Sequence, residues 1–398
     1  MNGRQCVTKK RPPRVTQAQA ASDSFDIQAT DRVELIQADW DTLLKDGRAS
    51  PFQTPHWLRP WYAIVAPHIG AQPLFVVVRD AKSGAPLMLL PLCIRRQGML
   101  RVVEFADGTL TDYNAPLLAK GFAPSESEIN ALWRKILAKL PAADVVRLEK
   151  MPQRFAAGAN PLHQLRDTRA MKIDAWSVAL PATRAEYDKR LTSTFLKELR
   201  RKGRRVESRG NPQLVHARDP KDALRMFDAL AQMRTHRFKE LDRNNVLADP
   251  VLRSFYETVI VDSFPQKFTA LSALETESEV VAALFALRHA DSYCLLLSAF
   301  KDGEWKSASP GNVILDRMAT HLIESKVGVF DFTIGNESYK RDFGAESQTL
   351  ATGDYPLSVL GWPVAMRRTL SHHVGKGLRS PAMTRATSMV RRLLRIGS

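Results

Sequence analysis

Cysteine is nearly missing from this chain. Its three thiols, Cys6, Cys93 and Cys294, are far apart and odd in number. They form neither a disulfide framework nor a thiolate metal site, so a reducing cytoplasm is the expected compartment. Long apolar runs are missing too. The longest, around Leu74–Val78 and Pro86–Ile94, are of strand length, well short of the ~20 residues a spanning helix needs. No apolar stretch precedes Phe25, so the start does not read as a secretory signal. Any membrane contact is expected to be peripheral. No zinc-ligand pattern occurs, and no metal is expected.

Acidic residues are scarce where basic ones gather. The 398 residues hold 58 Lys+Arg against 42 Asp+Glu, a formal net charge of +16. Residues 1–14 carry five basic groups and no acid, 189–209 nine against two, and 361–398 eight and none. The remainder is mildly acidic. With no homeodomain-like or RNP pattern, DNA is not an expected partner. At 44% hydrophobic and 25% charged, the chain is neither largely disordered nor a polytopic membrane protein.

Pattern along the chain reads as α/β. Residues 1–25 form a basic arm poor in large apolar groups, and a first unit covers 26–182. It contains a helix near Asp39–Leu44, a Trp-rich stretch Phe52–Tyr62, strands Pro73–Arg79, Leu87–Arg95 and Val102–Phe105, helix Glu126–Leu140 and strand Val145–Glu149. A second unit, 183–355, opens with one amphipathic helix from Arg184 to Val206. Its apolar arc holds Tyr187, Leu191, Phe195, Leu199 and Val206; Lys189, Arg190, Lys197, Arg200, Arg201 and Arg204 lie opposite. Next come a helix Pro220–Leu241 with Asp219 as its N-cap, helix Pro250–Ser263, and strands Thr269–Glu275, Val280–His289 and Ser292–Phe300. Helix Asn312–Ser325, strand Val329–Ile334 and a helical turn near Ser338–Phe343 end the unit. The two units repeat an order of strands, helix and strand. Residues 356–398 read as a basic amphipathic tail.

Ser292–Gly344 is the stretch richest in chemistry. A strand runs through a short loop into Ser309-Pro310-Gly311-Asn312 and a helix. Unpaired amides at such a helix start suit a pyrophosphate, although an ordinary strand-to-helix turn reads the same way. Arg234 and Arg237 fall inside the apolar arc of their helix, which calls for a carboxylate partner or a polar cleft. Trp57 and Trp61 with Asp112 and Tyr113 make either a sugar platform or core packing.

This stretch, with Phe330-Asp331-Phe332-Thr333-Ile334-Gly335-Asn336-Glu337-Ser338-Tyr339-Lys340, resembles the end of a GNAT-superfamily acyltransferase of the CelD/BcsL type. That type is linked to cellulose and exopolysaccharide biosynthesis and is related to Fem-type aminoacyl-transferases. Phe195–Lys202, Phe52–Leu58 and Asp112–Leu117 resemble other parts of it, so the likeness spans roughly 35–350. It implies two GNAT-like subdomains with mixed, mostly antiparallel sheets flanked by helices. It also implies acetyl-CoA as donor and a sugar or lipid-linked saccharide as acceptor.

Under that resemblance, Ser309, Gly311 and Asn312 hold the donor. Tyr339 is the candidate acid, Glu337 the base and Lys340 a charge stabiliser. Arg237, Asp112, Tyr113 and Trp57 are acceptor candidates. The implied reaction is acetylation of a sugar amine or hydroxyl during cell-surface or biofilm polysaccharide assembly. The alternatives are Fem-like aminoacyl transfer from charged tRNA, and a silent GNAT-fold regulator binding a nucleotide such as cyclic di-GMP. Arg367, Arg368, Arg391 and Arg392 of the tail are candidate contacts for that nucleotide or for an anionic membrane surface.

Overall fold

The structure is a computed structural model that describes residues 24–366, apart from 157, 241, 243, 244 and 364. The first elements are β1 (Phe25–Thr30), α1 (Gln37–Asp46), α2 (Pro55–Pro60), β2 (Ala71–Asp80), β3 (Pro86–Gln97), β4 (Leu100–Phe105) and β5 (Leu117–Leu118). They are followed by α3 (Glu126–Lys139), β6 (Val145–Pro152), the two-residue strands β7 (Arg154–Phe155) and β8 (Gly158–Ala159), and β9 (Arg169–Ala179). The second series is α4 (Arg184–Arg190), α5 (Ser193–Ser208), β10 (Gln213–His216), α6 (Pro220–Glu240), α7 (Pro250–Ser263), β11 (Thr269–Glu275), β12 (Val280–His289) and β13 (Ser292–Phe300). It ends with α8 (Pro310–Glu324), β14 (Val329–Ile334), α9 (Tyr339–Asp342) and β15 (Glu346–Pro356).

Thirteen strands make one mixed sheet, in the order β1-β2-β3-β4-β6-β15-β9-β14-β13-β12-β11-β10, with β5 paired to β3. Only β4 with β6 and β13 with β14 pair in parallel; the other ladders are antiparallel. Along that path each half therefore presents five of its own strands and a sixth taken from the other, with β5 an addition in the first half. β9 follows the first half in sequence but pairs with β14, and β15 follows the second half but pairs with β6. The sheet thus runs unbroken through the expected boundary at 182/183. β9 and β15 were not among the expected strands, because their apolar alternation is diluted by polar and charged residues.

Apolar alternation assigns side chains to two faces. In β2, Phe75 and Val77 join a core that runs through both halves, while Leu74, Val76 and Val78 join one built from the first half and the strand β15. The shared core centres on aromatic rings. Trp57 meets Phe255 edge-on at 4.8 Å and Tyr256 at 6.1 Å, so a side chain of α2 is locked against α7 of the other half. On the opposite face of the second half, α5 and α8 cover Phe330 and Phe332.

The single helix expected from Arg184 to Val206 is two helices. Thr192 accepts a hydrogen bond from the Phe195 amide at 3.2 Å and so caps α5, which breaks the helix after Arg190. Lys197, Arg200, Arg201, Arg204 and Arg205 are exposed on α5. Asp219 accepts from the Asp222 amide at 2.8 Å at the start of α6, as an N-cap should.

Candidate functional site

The second half parts its sheet at one point. β13 and β14 pair at Ser292–Val329, Tyr293–Phe330 and Cys294–Asp331, and then diverge. Just beyond that fork stands Thr333, with φ at 57°, a left-handed conformation that is costly for a β-branched residue. Two hydrogen bonds hold it there. Its Oγ1 donates to the Leu295 carbonyl at 2.9 Å across the gap, and its amide donates to Asp331 Oδ1 at 2.7 Å. Strand β14 slips register against β9 at the same place. The run Phe-Asp-Phe-Thr-Ile carries no sign of this bend.

Helix α8 starts beside the fork. Ser309 sits at its N-cap with φ at 57°, no side chain caps the first turn, and no acid lies in it. A Cβ on Gly311 would lie 2.7 Å from the Phe300 ring, so glycine lets the helix start rest on that ring. The Arg237 guanidinium stacks on Phe300 at 4.3 Å and forms no ion pair among the described residues. Open amides, the positive end of the helix dipole and a free guanidinium form a setting for a pyrophosphate. Ser309, Gly311, Asn312 and Arg237 are thus brought together.

On the face of the sheet shared by both halves, the fork opens onto buried acids. Tyr113, from the loop after β4, donates to Asp331 Oδ1 at 2.7 Å, bridging the halves. Cys294 Sγ lies 4.0 Å from the other Asp331 oxygen. Asp112 and Asp331 are each half-buried as whole residues, and their carboxyls are enclosed by protein. Burial pushes Asp112 up to about 6; Lys150 and the Thr333 hydroxyl pull it down, and Asp107 adds a smaller upward push. Burial also pushes Asp331 up to about 6, against the Tyr113 and Thr333 hydrogen bonds, with Asp112 adding to the rise. The two acids are a coupled pair poised near neutrality. Lys150 is held by Asp107 at 2.9 Å and the Thr111 carbonyl at 2.8 Å. Arg234 stacks on Phe238 at 4.4 Å with its Nε buried and unpartnered.

Several expected site residues lie elsewhere. Trp57 has no accessible surface and donates its indole N–H to Thr111 at 3.1 Å, so it offers no ring face to a sugar. Trp61 is likewise buried. Lys340 is 2% exposed, and its Nζ donates to the Ile334 carbonyl at 2.8 Å and meets Glu337 at 3.2 Å. It staples the turn after β14 while its charge lowers both acids. The Glu337 carboxylate is exposed and tied to that staple. Tyr339 packs edge-on to Phe332 at 6.0 Å, on the face opposite the Asp331 carboxyl, and burial raises its phenol above the ordinary value. Arg367, Arg368, Arg391 and Arg392 lie outside the described residues. Asp331 and Lys150 were missed by the sequence reading; a lone Asp inside an apolar strand was the available signal for the first.

Among the described residues, no group of three or more His, Cys, Asp or Glu could hold a metal ion. No described helix is long and apolar enough to cross a membrane.

Comparisons with known proteins bear on the fold that carries this site. No curated protein matches the chain. A solved structure titled "Crystal structure of FemX" superposes with a TM-score of 0.57 at 12% identity, covering 85% of this chain and 98% of that one. The C-terminal domain (DUF2156) of a putative lysylphosphatidylglycerol synthetase from Agrobacterium fabrum gives a TM-score of 0.50 at 11% identity, covering 88% and 99%. A conserved protein of unknown function from Bacteroides thetaiotaomicron gives 0.50 at 11% identity, covering 82% and 100%. These likenesses concern the fold. Residues 193–341 match the acetyltransferase (GNAT) domain family model, so the half that carries the fork is a GNAT-fold domain.

Proposed function

We propose that the protein is an acyl-CoA-dependent acyltransferase that acetylates an amine or hydroxyl of a free or lipid-linked saccharide. The reading places it in cell-surface polysaccharide assembly, at the inner face of a membrane. One observation carries the catalytic part: two carboxyls near pKa 6 face a forked parallel strand pair next to an uncapped helix start. The saccharide and its setting rest on the sequence resemblance.

The residues divide the work. The first-turn amides of α8 and Arg237 would hold the donor's phosphates. Acetyl-CoA, when bound, supplies a thioester-activated acyl group. Asp112, ionised above about pH 6, would take the proton from the acceptor nitrogen or oxygen as its bond to the acyl carbon forms and the carbon–sulfur bond breaks. That proton would then neutralise the departing CoA thiolate; a base with that pKa is matched to neutral pH. Asp331 acts as a positioning residue: it anchors Tyr113 and the Thr333 amide, and so keeps the fork's left-handed bend.

Thermal-shift titration with acetyl-CoA, followed by assay of CoA release with amino-sugar acceptors, tests the reading. No stabilisation by any CoA ester at saturation would sink it. A second reading, Fem-like aminoacyl transfer, draws on the exposed basic face of α5. Stabilisation by charged tRNA that is lost when Arg200, Arg201 and Arg204 become glutamate would favour it.

A further inference from the structure

At the opposite end of β13 from the fork lies a cavity of about 380 Å³. It sits between the end of β10, the start of β11, the end of β12 and the last turn of α8. Five lining residues are basic, His216, Arg218, Lys267, Arg288 and His321, and none is acidic. Arg218, Lys267 and Arg288 form no ion pair among the described residues. The rings of His216 and His321 stack 4.1 Å apart. His216 Nδ1 lies 2.9 Å from Ser272 Oγ. Thr269, 3% exposed, holds its Oγ1 buried without a hydrogen-bond partner.

Three exposed cations without ion-pair partners rim one hollow and make its potential positive, and a buried hydroxyl without a partner is costly. One guest relieves both: an anion with several oxygens. A carboxylate has two oxygens to share among three cations, a hydroxyl and two imidazoles, whereas a phosphate has three or four. The α8 carbonyls beside the cavity do not oppose this, because the Ser325, Lys326 and Val327 amides already bond the His321, Ile323 and Leu322 carbonyls.

We propose that this cavity is a second binding site, separate from the fork, for a soluble molecule bearing a phosphate monoester or diphosphate group. Burial disfavours the charged form of both histidines, and for His216 the neighbouring His321 and Arg288 add to this, to about 4. Arg288 also lowers His321, and Glu324 opposes that from the end of α8. An arriving dianion reverses the balance and draws a proton onto the imidazoles, so affinity rises as pH falls.

Calorimetric titration of the full chain with inorganic phosphate and with a nucleoside diphosphate tests this. The expected result is saturable one-to-one binding that tightens several-fold from pH 8 to pH 6 and is unaffected by saturating acetyl-CoA. The double variant Arg288→Ser/His321→Asn is expected to bind about tenfold more weakly. Arg95→Ser, in the corresponding cavity of the first half where Arg95 is paired with Glu104, is expected to change nothing. No saturable binding by the wild type, equal binding by the double variant, or displacement by acetyl-CoA would overturn the proposal. So would vesicles of phosphatidylglycerol that bind through Arg288 and His321 when neither soluble probe does. All these readouts are independent of catalysis, so they stand or fall apart from the acyltransferase reading.

Discussion

The two halves build the same fork and line it with different charges. In the first half β4 and β6 pair in parallel from Val102–Val145 to Glu104–Arg147, then part, as β13 and β14 do. There Arg147 stands where the second half has Asp331. It donates to Asp354 on β15 at 3.0 Å and reaches Gln97 on β3 at 2.8 Å, and Arg169 joins Asp354. The following helix differs equally. At α3, Ser125 and Glu128 form a capping box and Glu126 adds a second acid, so the amides are satisfied and an anion is repelled. At α8 there is no cap and no acid. Duplicated topology therefore does not duplicate a site. A few charges distinguish one fork and its helix start from the other.

The strongest way to break this comparison is to remove the acid at the second half's fork. Asp112→Asn is expected to lower kcat by roughly 10²–10⁴-fold with little change in acetyl-CoA KM, as for loss of a general base. It should also raise Tm at pH 8, because a carboxyl whose folded pKa lies above its unfolded value is ionised at a cost there. An unchanged kcat would move the base elsewhere.

Trp57→Ala probes the seam between the halves. Loss of a fully buried indole packed on Phe255 should cost about 3–5 kcal/mol, read as a lower denaturation midpoint. A well-folded variant whose only defect is a raised acceptor KM would instead restore Trp57 as a sugar platform.

Asn312→Glu makes the start of α8 resemble that of α3. About tenfold weaker acetyl-CoA binding is expected, since an acid in the first turn repels phosphate. Unchanged affinity would mean that the donor's phosphates lie elsewhere.

The smallest effect is on pH dependence. kcat/KM should fall as pH drops below about 6, when Asp112 gains its proton. Over the same range stability should rise: Asp112 and Asp331 bind protons more tightly folded than unfolded, so stability grows from pH 7 down toward about 4. Chemical denaturation at several pH values reads the second effect, which Asp112→Asn should reduce.

Much of the framework was legible in sequence. β11, β12, β13, β14 and α7 begin and end where alternation and periodicity place them. Asp112 and Tyr113 were legible as site candidates, and Arg237 as an arginine needing a polar outlet. Tyr339, Lys340 and Glu337 were legible as a motif, but a motif carries spacing and not facing. Strand alternation puts Asp331 on one face of the sheet and Phe332, with Tyr339, on the other.

Local chemistry thus determined the α/β elements, the basic face of α5 and the glycine at the start of α8, each set by residues within a turn or two. Only the tertiary structure decided the exchange of β9 and β15, the burial of Trp57 and the meeting of Tyr113 with Asp331, which are 218 residues apart. It alone set the pKa values of the acid pair as well. Burial and charges from distant segments act through space, and no local pattern records which segments will become neighbours.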